Sequence, residues 1–482
     1  MHRRKCYSAV QMPFATFAGH PLNALQIPQA ADAVQQIRHR ALLLAYRFPP
    51  RHVGIAHRRS EALYRWLPEY GWAPTVITAQ FGAQSPDVVY YPDASIFSRL
   101  LGRNSEPTAL RRMLSAVKQH SGGMLRYAAN RTAGALRQLP GWRDDFASWS
   151  RAVVARAIAE GRRRSVELVW STLKPNSVAE TAVAVARELG VPCVLDFRDD
   201  LSADIGSNYG PEHWLHRAVS QADCVTISEP VADCALLRGS VTGAGPYLII
   251  SGSWHTQQVP AQPAPHFRIT HAGFLYGELK YPSMLFQAAT ALAEHYPQLR
   301  QELKLAFVGQ DSRLCATATG YAEAAAMIEL IPEQPYAKVA DLMARSALLA
   351  IFNLEREREQ LGGIRGKLFD YFGYAWPVLY VGDEPGITGT LLSWAGCGCW
   401  APTLDTLIEV LGSEYMHWRR HGVRTAARNS EALAYCSQRR MAAEFAEVFN
   451  AMVDQRAVHC RESLPWDKTF TAASQAQAAS SS

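Results

Sequence analysis

The sequence predicts an α/β protein built as two parallel-sheet domains, and three observations predict it. Continuous apolar runs of strand length recur along the chain, among them ALLLAY (41–46), LLAIF (348–352) and VLYV (378–381). Runs without alternation are those of strands buried on both faces. Amphipathic stretches separate them, so that strand, loop, helix and strand follow one another within about 40 residues, the pattern of βαβ units. At 482 residues, 48% apolar and 19% charged, the chain exceeds one ordinary domain and carries material for two cores.

The elements follow in order. Residues 1–38 read as a poorly ordered extension, because Gln11, Pro13, Thr16 and His20 interrupt what would otherwise resemble a leader. The first strand, 41–46, runs into Arg47-Phe48-Pro49-Pro50 and a loop holding one glycine, Gly54. A helix with Leu63, Trp66 and Leu67 on one face leads to a second strand at 74–78. In open α/β sheets ligands sit beyond the carboxyl ends of strands, which makes the loop from Phe48 to Arg58 a cleft candidate.

Residues 85–165 read as a basic helical insertion: from Arg99 to Arg164, fourteen Lys and Arg face four acidic residues, on a chain whose net charge is only +6. Solvated helix faces account for such a segment. Adhesion to an anionic membrane surface through 99–164 accounts for it too, each basic residue adding about 1 kcal/mol. No recognition helix or aromatic-laced sheet motif points to nucleic acid.

A strand at 166–170 runs into STLKP, with Lys174, and a helix from Ser177 to Leu189 closes on Gly190. The strand from Pro192 then runs into Arg198 and Asp199. Further strands follow at 224–228 and 247–252, which closes a first domain over 39–255. AQPAPH (261–266) is a linker, and the second domain, 266–430, opens with a strand ending at Gly273. Its next strand ends at Gly309; others are expected at 327–332 and 348–352. A helix over 431–460 closes the globular part, and 461–482, rich in Ala, Ser and Gln, reads as a disordered tail.

The most informative stretch is GGIRGKLFDYFGYAWPVLYVG, 362–382, which reads as glycine loop, short helix and buried strand, with Pro377 stopping the helix. Helical spacing puts Leu368, Phe369 and Phe372 on one side and Lys367, Asp370, Tyr371 and Tyr374 on the other. A lysine in a first helical turn, beside Gly366 and the helix amides, suits a phosphate. A carboxylate three residues on suits sugar or ribose hydroxyls. An exposed Lys–Asp pair on a surface helix, worth under about 1 kcal/mol, accounts for the same residues.

No run approaches the ~18 apolar residues of a membrane span. The nine cysteines lack metal spacing, Cys397-Gly-Cys399 being too tight for a zinc knuckle, and they suit a reducing cytoplasm.

GKLFDYFGYAWPVLYVG resembles the signature of family 4-like glycosyltransferases, in which a carboxylate sits seven residues before the proline of a "PV" strand; Asp370 and Pro377 occupy those positions. YRFPP, LPEYGWAPTVIT, STLKP and DFRDD resemble the family's first domain. The chain departs from the pattern at Gly362, where the family often carries Glu (Glu355, Glu357 and Glu359 lie nearby), at Ser251-Gly252 and in the single Gly54.

The resemblance implies a GT-B architecture: two Rossmann-like domains facing across a cleft, with a C-terminal helix returning to the first. It implies transfer of a sugar from a nucleoside-diphosphate-sugar donor to a glycan or lipid-linked acceptor, with retention and without a metal or other cofactor. Lys280 and Lys367 would hold the diphosphate and Asp370 the ribose, with Gly366, Gly54, Gly309, Arg198 and Asp199 completing the donor and cleft set. A cytoplasmic protein, peripheral on the inner membrane face, would suit such an acceptor. A sugar-nucleotide epimerase and a non-catalytic scaffold are the alternatives that this fold leaves open.

Overall fold

The computed structural model describes residues 16–17, 36–49, 57–79, 85–94, 143–144, 146–173, 175–198, 214–229, 241–253, 259, 262, 264–275, 279–309, 314, 321, 324–353, 364–456 and 460–461. Most of the 1–38 extension, the central part of the basic insertion and the tail beyond 461 lie outside them. Two compact units divide the chain, Met1–Ile250 with Ala442–Leu464 and Ser251–Met441 with Pro465–Ser482.

The first unit contains β1 (His39–Leu44), α1 (Arg58–Trp66), β2 (Trp72–Thr78), β3 (Val88–Tyr90), α2 (Ala147–Ala152), α3 (Val154–Arg164), β4 (Leu168–Leu173), α4 (Val178–Leu189), β5 (Cys193–Phe197), α5 (Trp214–Ser220), β6 (Cys224–Ile227) and β7 (Ala244–Leu248). These seven strands form one sheet in the order β3-β2-β1-β4-β5-β6-β7, all parallel, and Thr16–Phe17 pairs separately with Cys460–Arg461, antiparallel. The apolar runs become the central strands because both their faces are covered: Ala41 to Leu44 are wholly buried. Leu63 turns inward from α1 and Leu67 from the 3₁₀ turn that follows, which a left-handed Gly71 (φ 81°) ends.

The last strand begins three residues earlier than the apolar run suggests. Gly245, at φ 107°, brings the backbone so close to β6 that a Cβ would lie 2.3 Å from Val225 O.

The second unit contains β8 (Phe267–Ala272), α6 (Lys280–His295), α7 (Leu299–Glu302), β9 (Leu303–Val308), β10 (Ile328–Ile331), α8 (Tyr336–Ala344), β11 (Leu348–Phe352), α9 (Gly366–Tyr371), β12 (Val378–Val381), α10 (Gly386–Trp394), β13 (Gly398–Ala401), α11 (Leu404–His421) and α12 (Ser430–Tyr435). Its six parallel strands lie in the order β10-β9-β8-β11-β12-β13. Numbered within the unit this is 3-2-1-4-5-6, the doubly wound order, whose reversal point lies between β8 and β11. Phe286, Phe307, Phe352, Leu379 and Tyr415 belong to its buried core.

The terminal helix, α13 (Gln438–Val453), belongs to the first unit from Ala442 onward. There Phe445 packs edge-on to Trp170 (ring centroids 5.8 Å apart) and Phe449 to Trp72 (5.3 Å), and the Trp72 indole donates to Asn450 at 2.9 Å. Burial of these rings, not helix propensity, holds the helix on the first sheet.

Candidate functional site

The second unit gathers its chemistry where β8 and β11 separate. His271, the next-to-last residue of β8, is 3% exposed, its ring forming a cluster with Phe352 (5.0 Å) and Phe307 (6.0 Å). Its Nδ1 lies 2.9 Å from Ala350 O on β11, and its Nε2 lies 2.9 Å from Lys367 Nζ. Burial, then the charge of Lys367 and more weakly that of Arg365, holds the imidazole well below its ordinary pKa against the pull of backbone bonds. Gly273, at φ 114°, leaves room for the lysine, since a Cβ there would stand 3.3 Å from Nζ. Gly309 ends β9 at φ 80° with open space where a Cβ would lie, and Gly366 opens α9.

The helix α9 is not amphipathic in the way its spacing suggests. Asp370 is 8% exposed, and Tyr371 and Tyr374 are 0% and 1%. Apart from half-buried Lys367, the side chains on both faces of this short helix are enclosed: the Tyr371 hydroxyl accepts from Ala272 N–H at 3.0 Å, and just beyond the helix the Tyr374 ring packs on Trp376 at 5.1 Å. Burial, with the Asp370 charge beside it, pushes the Tyr371 pKa up, so the phenol stays neutral. An exposed Lys–Asp surface pair is therefore not what this helix carries.

Lys280 stands at the start of α6, beyond the same end of the sheet, with Nζ 3.1 Å from Asp383 just past β12. The Tyr281 hydroxyl also donates to Asp383. His271, Arg365, Asp383 and Tyr281 are neighbours of these lysines to which the sequence alone assigned no role. A histidine ending an apolar strand was the one available signal for His271.

In the first unit, Arg198 follows β5 and its Nε donates to Leu173 O at the end of β4 (2.8 Å), while Ser228 donates to Arg198 O (2.7 Å). It belongs to a different unit from Lys280, Lys367 and Asp370. Gly54, Asp199, Lys174, Gly362, Glu355, Glu357 and Glu359 lie outside the described residues.

The described end of the basic insertion is engaged with the protein's own carboxylates. Glu160, 5% exposed, is paired with Arg156, Arg163 and Arg164. Burial opposes its charge, but bonds from Arg163 and Arg164 and the field of Arg156 outweigh it and hold the carboxyl below its ordinary pKa. Arg143 binds Glu180 and Arg162 binds Glu188. Among the described residues, no helix is long and apolar enough to cross a membrane, and no group of three or more His, Cys, Asp or Glu could hold a metal ion.

Two Rossmann-like units in one chain, with a terminal helix returning to the first, make a GT-B fold. No family model and no curated protein sequence matches the chain. Solved structures do. Sucrose-phosphate synthase from Thermosynechococcus elongatus is similar at TM-score 0.53 and 12% identity, over 87% of this chain and 100% of that one. HepE from Anabaena, solved with UDP and glucose, is similar at TM-score 0.50 and 14% identity, over 86% and 100%. Trehalose-6-phosphate synthase, studied for glycosyl transfer with retention, is similar at TM-score 0.52 and 11% identity, over 86% and 99%. At such identities the likeness is one of fold.

Proposed function

We propose that this protein is a glycosyltransferase that moves a sugar from a nucleoside-diphosphate sugar to a glycan or lipid-linked acceptor. The observation that carries the reading is the Lys367 ammonium, fixed 2.9 Å from His271 at the reversal point of a doubly wound sheet. Lys367 and Arg365 bring two positive charges to the place where such folds take phosphorylated ligands, and Gly273 leaves space beside Lys367. When the glycosidic bond to the diphosphate breaks, negative charge grows on the leaving oxygen. Fixed cations stabilise that charge more than they stabilise the ground state.

In this reading Lys367 is the principal diphosphate contact, Lys280 a second one, and Asp370 the partner of the ribose. The reaction proceeds with retention, and cationic side chains take the part that a divalent ion plays elsewhere. Among the similar folds, HepE was solved with UDP and glucose, and trehalose-6-phosphate synthase is described as transferring with retention. UDP is accordingly the first ligand to try.

Calorimetric titration with UDP, alongside UDP-glucose turnover with and without a chelator, tests the proposal. Binding of UDP, and release of free UDP from UDP-glucose in the presence of acceptor, are expected. Lys367→Ala should cost about 3–4 kcal/mol in turnover, two to three decades in rate. Donor isomerised without UDP release would make the protein an epimerase, and no UDP binding at all would make it a scaffold.

A further inference from the structure

We propose that His271 is a positioning residue: a neutral imidazole whose Nε2 lone pair fixes the Lys367 ammonium in place. The inference rests on reading Lys367 as a diphosphate contact and assigns the group that aims it.

The hydrogen bonds determine the tautomer. A backbone carbonyl only accepts, so the 2.9 Å contact with Ala350 O puts the proton on Nδ1. Nε2 is then unprotonated and faces Lys367 Nζ at 2.9 Å, where the ammonium donates. A doubly protonated ring would set an N–H against the Lys367 ammonium; the backbone bonds to Ala350 and Gly273 favour that form, but burial and the charges of Lys367 and Arg365 outweigh them.

The ring itself cannot swing away. His271 is 3% exposed, packs against both Phe307 and Phe352, and is paired in register with Phe307 on a strand that has a neighbour on each side. A flexible lysine, which otherwise loses rotamer freedom on meeting its ligand, is thereby held before the ligand arrives. A carboxylate at this position would hold the lysine more strongly but would neutralise it. A neutral acceptor orients the cation and leaves its charge for the phosphate.

Two substitutions separate the two nitrogens. In His271→Asn the amide NH₂ can replace Nδ1–H toward Ala350, but nothing reaches Lys367. In His271→Gln the amide oxygen can reach the Nε2 position. UDP affinity is expected to fall about tenfold in His271→Asn, the worth of one hydrogen bond to a charged group, and to stay within about threefold of the parent in His271→Gln. Uridine, which lacks the diphosphate, should bind both variants alike. In a Lys367→Ala background His271→Asn should cost nothing further, since the group it acts through is gone.

Equal losses in the Asn and Gln variants, or additive losses in the double variant, would overturn the positioning role while leaving the donor site standing. A Lys367→Ala variant that binds UDP as the parent does would remove the donor site and this inference together. Thermal melting of each variant shows whether a loss of affinity is merely a loss of fold.

Discussion

Arg59 meets Asp196 fork to fork inside the first unit, its Nε and Nη2 standing 2.9 and 2.7 Å from the two carboxylate oxygens. The side chains are 2% and 0% exposed. Thr226 donates to the same carboxylate at 2.8 Å, and Arg59 Nη1 reaches Ile249 O at 2.9 Å. One ion pair thus ties α1, which follows the first strand, to β5, β6 and the end of β7. Asp196→Asn keeps the shape but leaves a buried guanidinium without its counter-ion, which should cost about 3–5 kcal/mol of stability. Replacing both residues by apolar ones of similar volume should cost less than either single change. Denaturant unfolding of Asp196→Asn, Arg59→Met and the double variant Arg59→Met/Asp196→Leu measures this, and a single variant milder than the double would refute the view that the buried charges depend on each other.

This network shows where sequence legibility ends. The strands were legible because residues such as Ala41 to Leu44 are apolar without alternation, and that alone says both faces are covered. Asp196 sits within an equally apolar strand, and nothing local indicates that its partner is 137 residues away. His271 and Lys367, 96 residues apart, are joined in the same way, by sheet order and not by spacing. The signature around Lys367 lies where β8 and β11 separate, beside His271. Its helix was misread in one respect, because periodicity reports an apolar face but cannot report that the opposite face is also enclosed, as it is at Tyr371.

Glu61, in the first turn of α1, has an oxygen buried without a hydrogen-bond partner among the described residues. Burial pushes its pKa up to about 7, with Arg58 and Arg65 pulling only partly the other way. The sign follows from linkage. Between the unfolded value near 4.5 and about 7 the folded state binds the proton that the unfolded state has released, so stability falls as pH rises through that window. Glu61→Gln removes this loss, and the variant should gain on the order of 1–3 kcal/mol over the parent at pH 8 and nothing at pH 4. Melting temperatures across that range decide it: parallel curves for parent and variant would show that Glu61 titrates normally.

Lys280 is the candidate contact whose charge is already engaged. Its Nζ lies 3.1 Å from Asp383 Oδ2, with side chains 43% and 33% exposed, so the pair is partly open to water. If Lys280 serves the diphosphate, Asp383 competes with the ligand for the same cation. An exposed pair of this kind is worth about 0.2–1 kcal/mol, so Asp383→Asn should tighten UDP binding by at most about fivefold. Lys280→Ala should weaken it by a similar factor. The gain in Asp383→Asn should shrink as ionic strength rises past about 0.15 M, where charges more than about 8 Å apart are screened. Calorimetry at two salt concentrations measures all of this. The deciding variant is the double one: if Asp383→Asn still tightens UDP when Lys280 is alanine, the carboxylate acts on the ligand directly, and Lys280 is not a diphosphate contact.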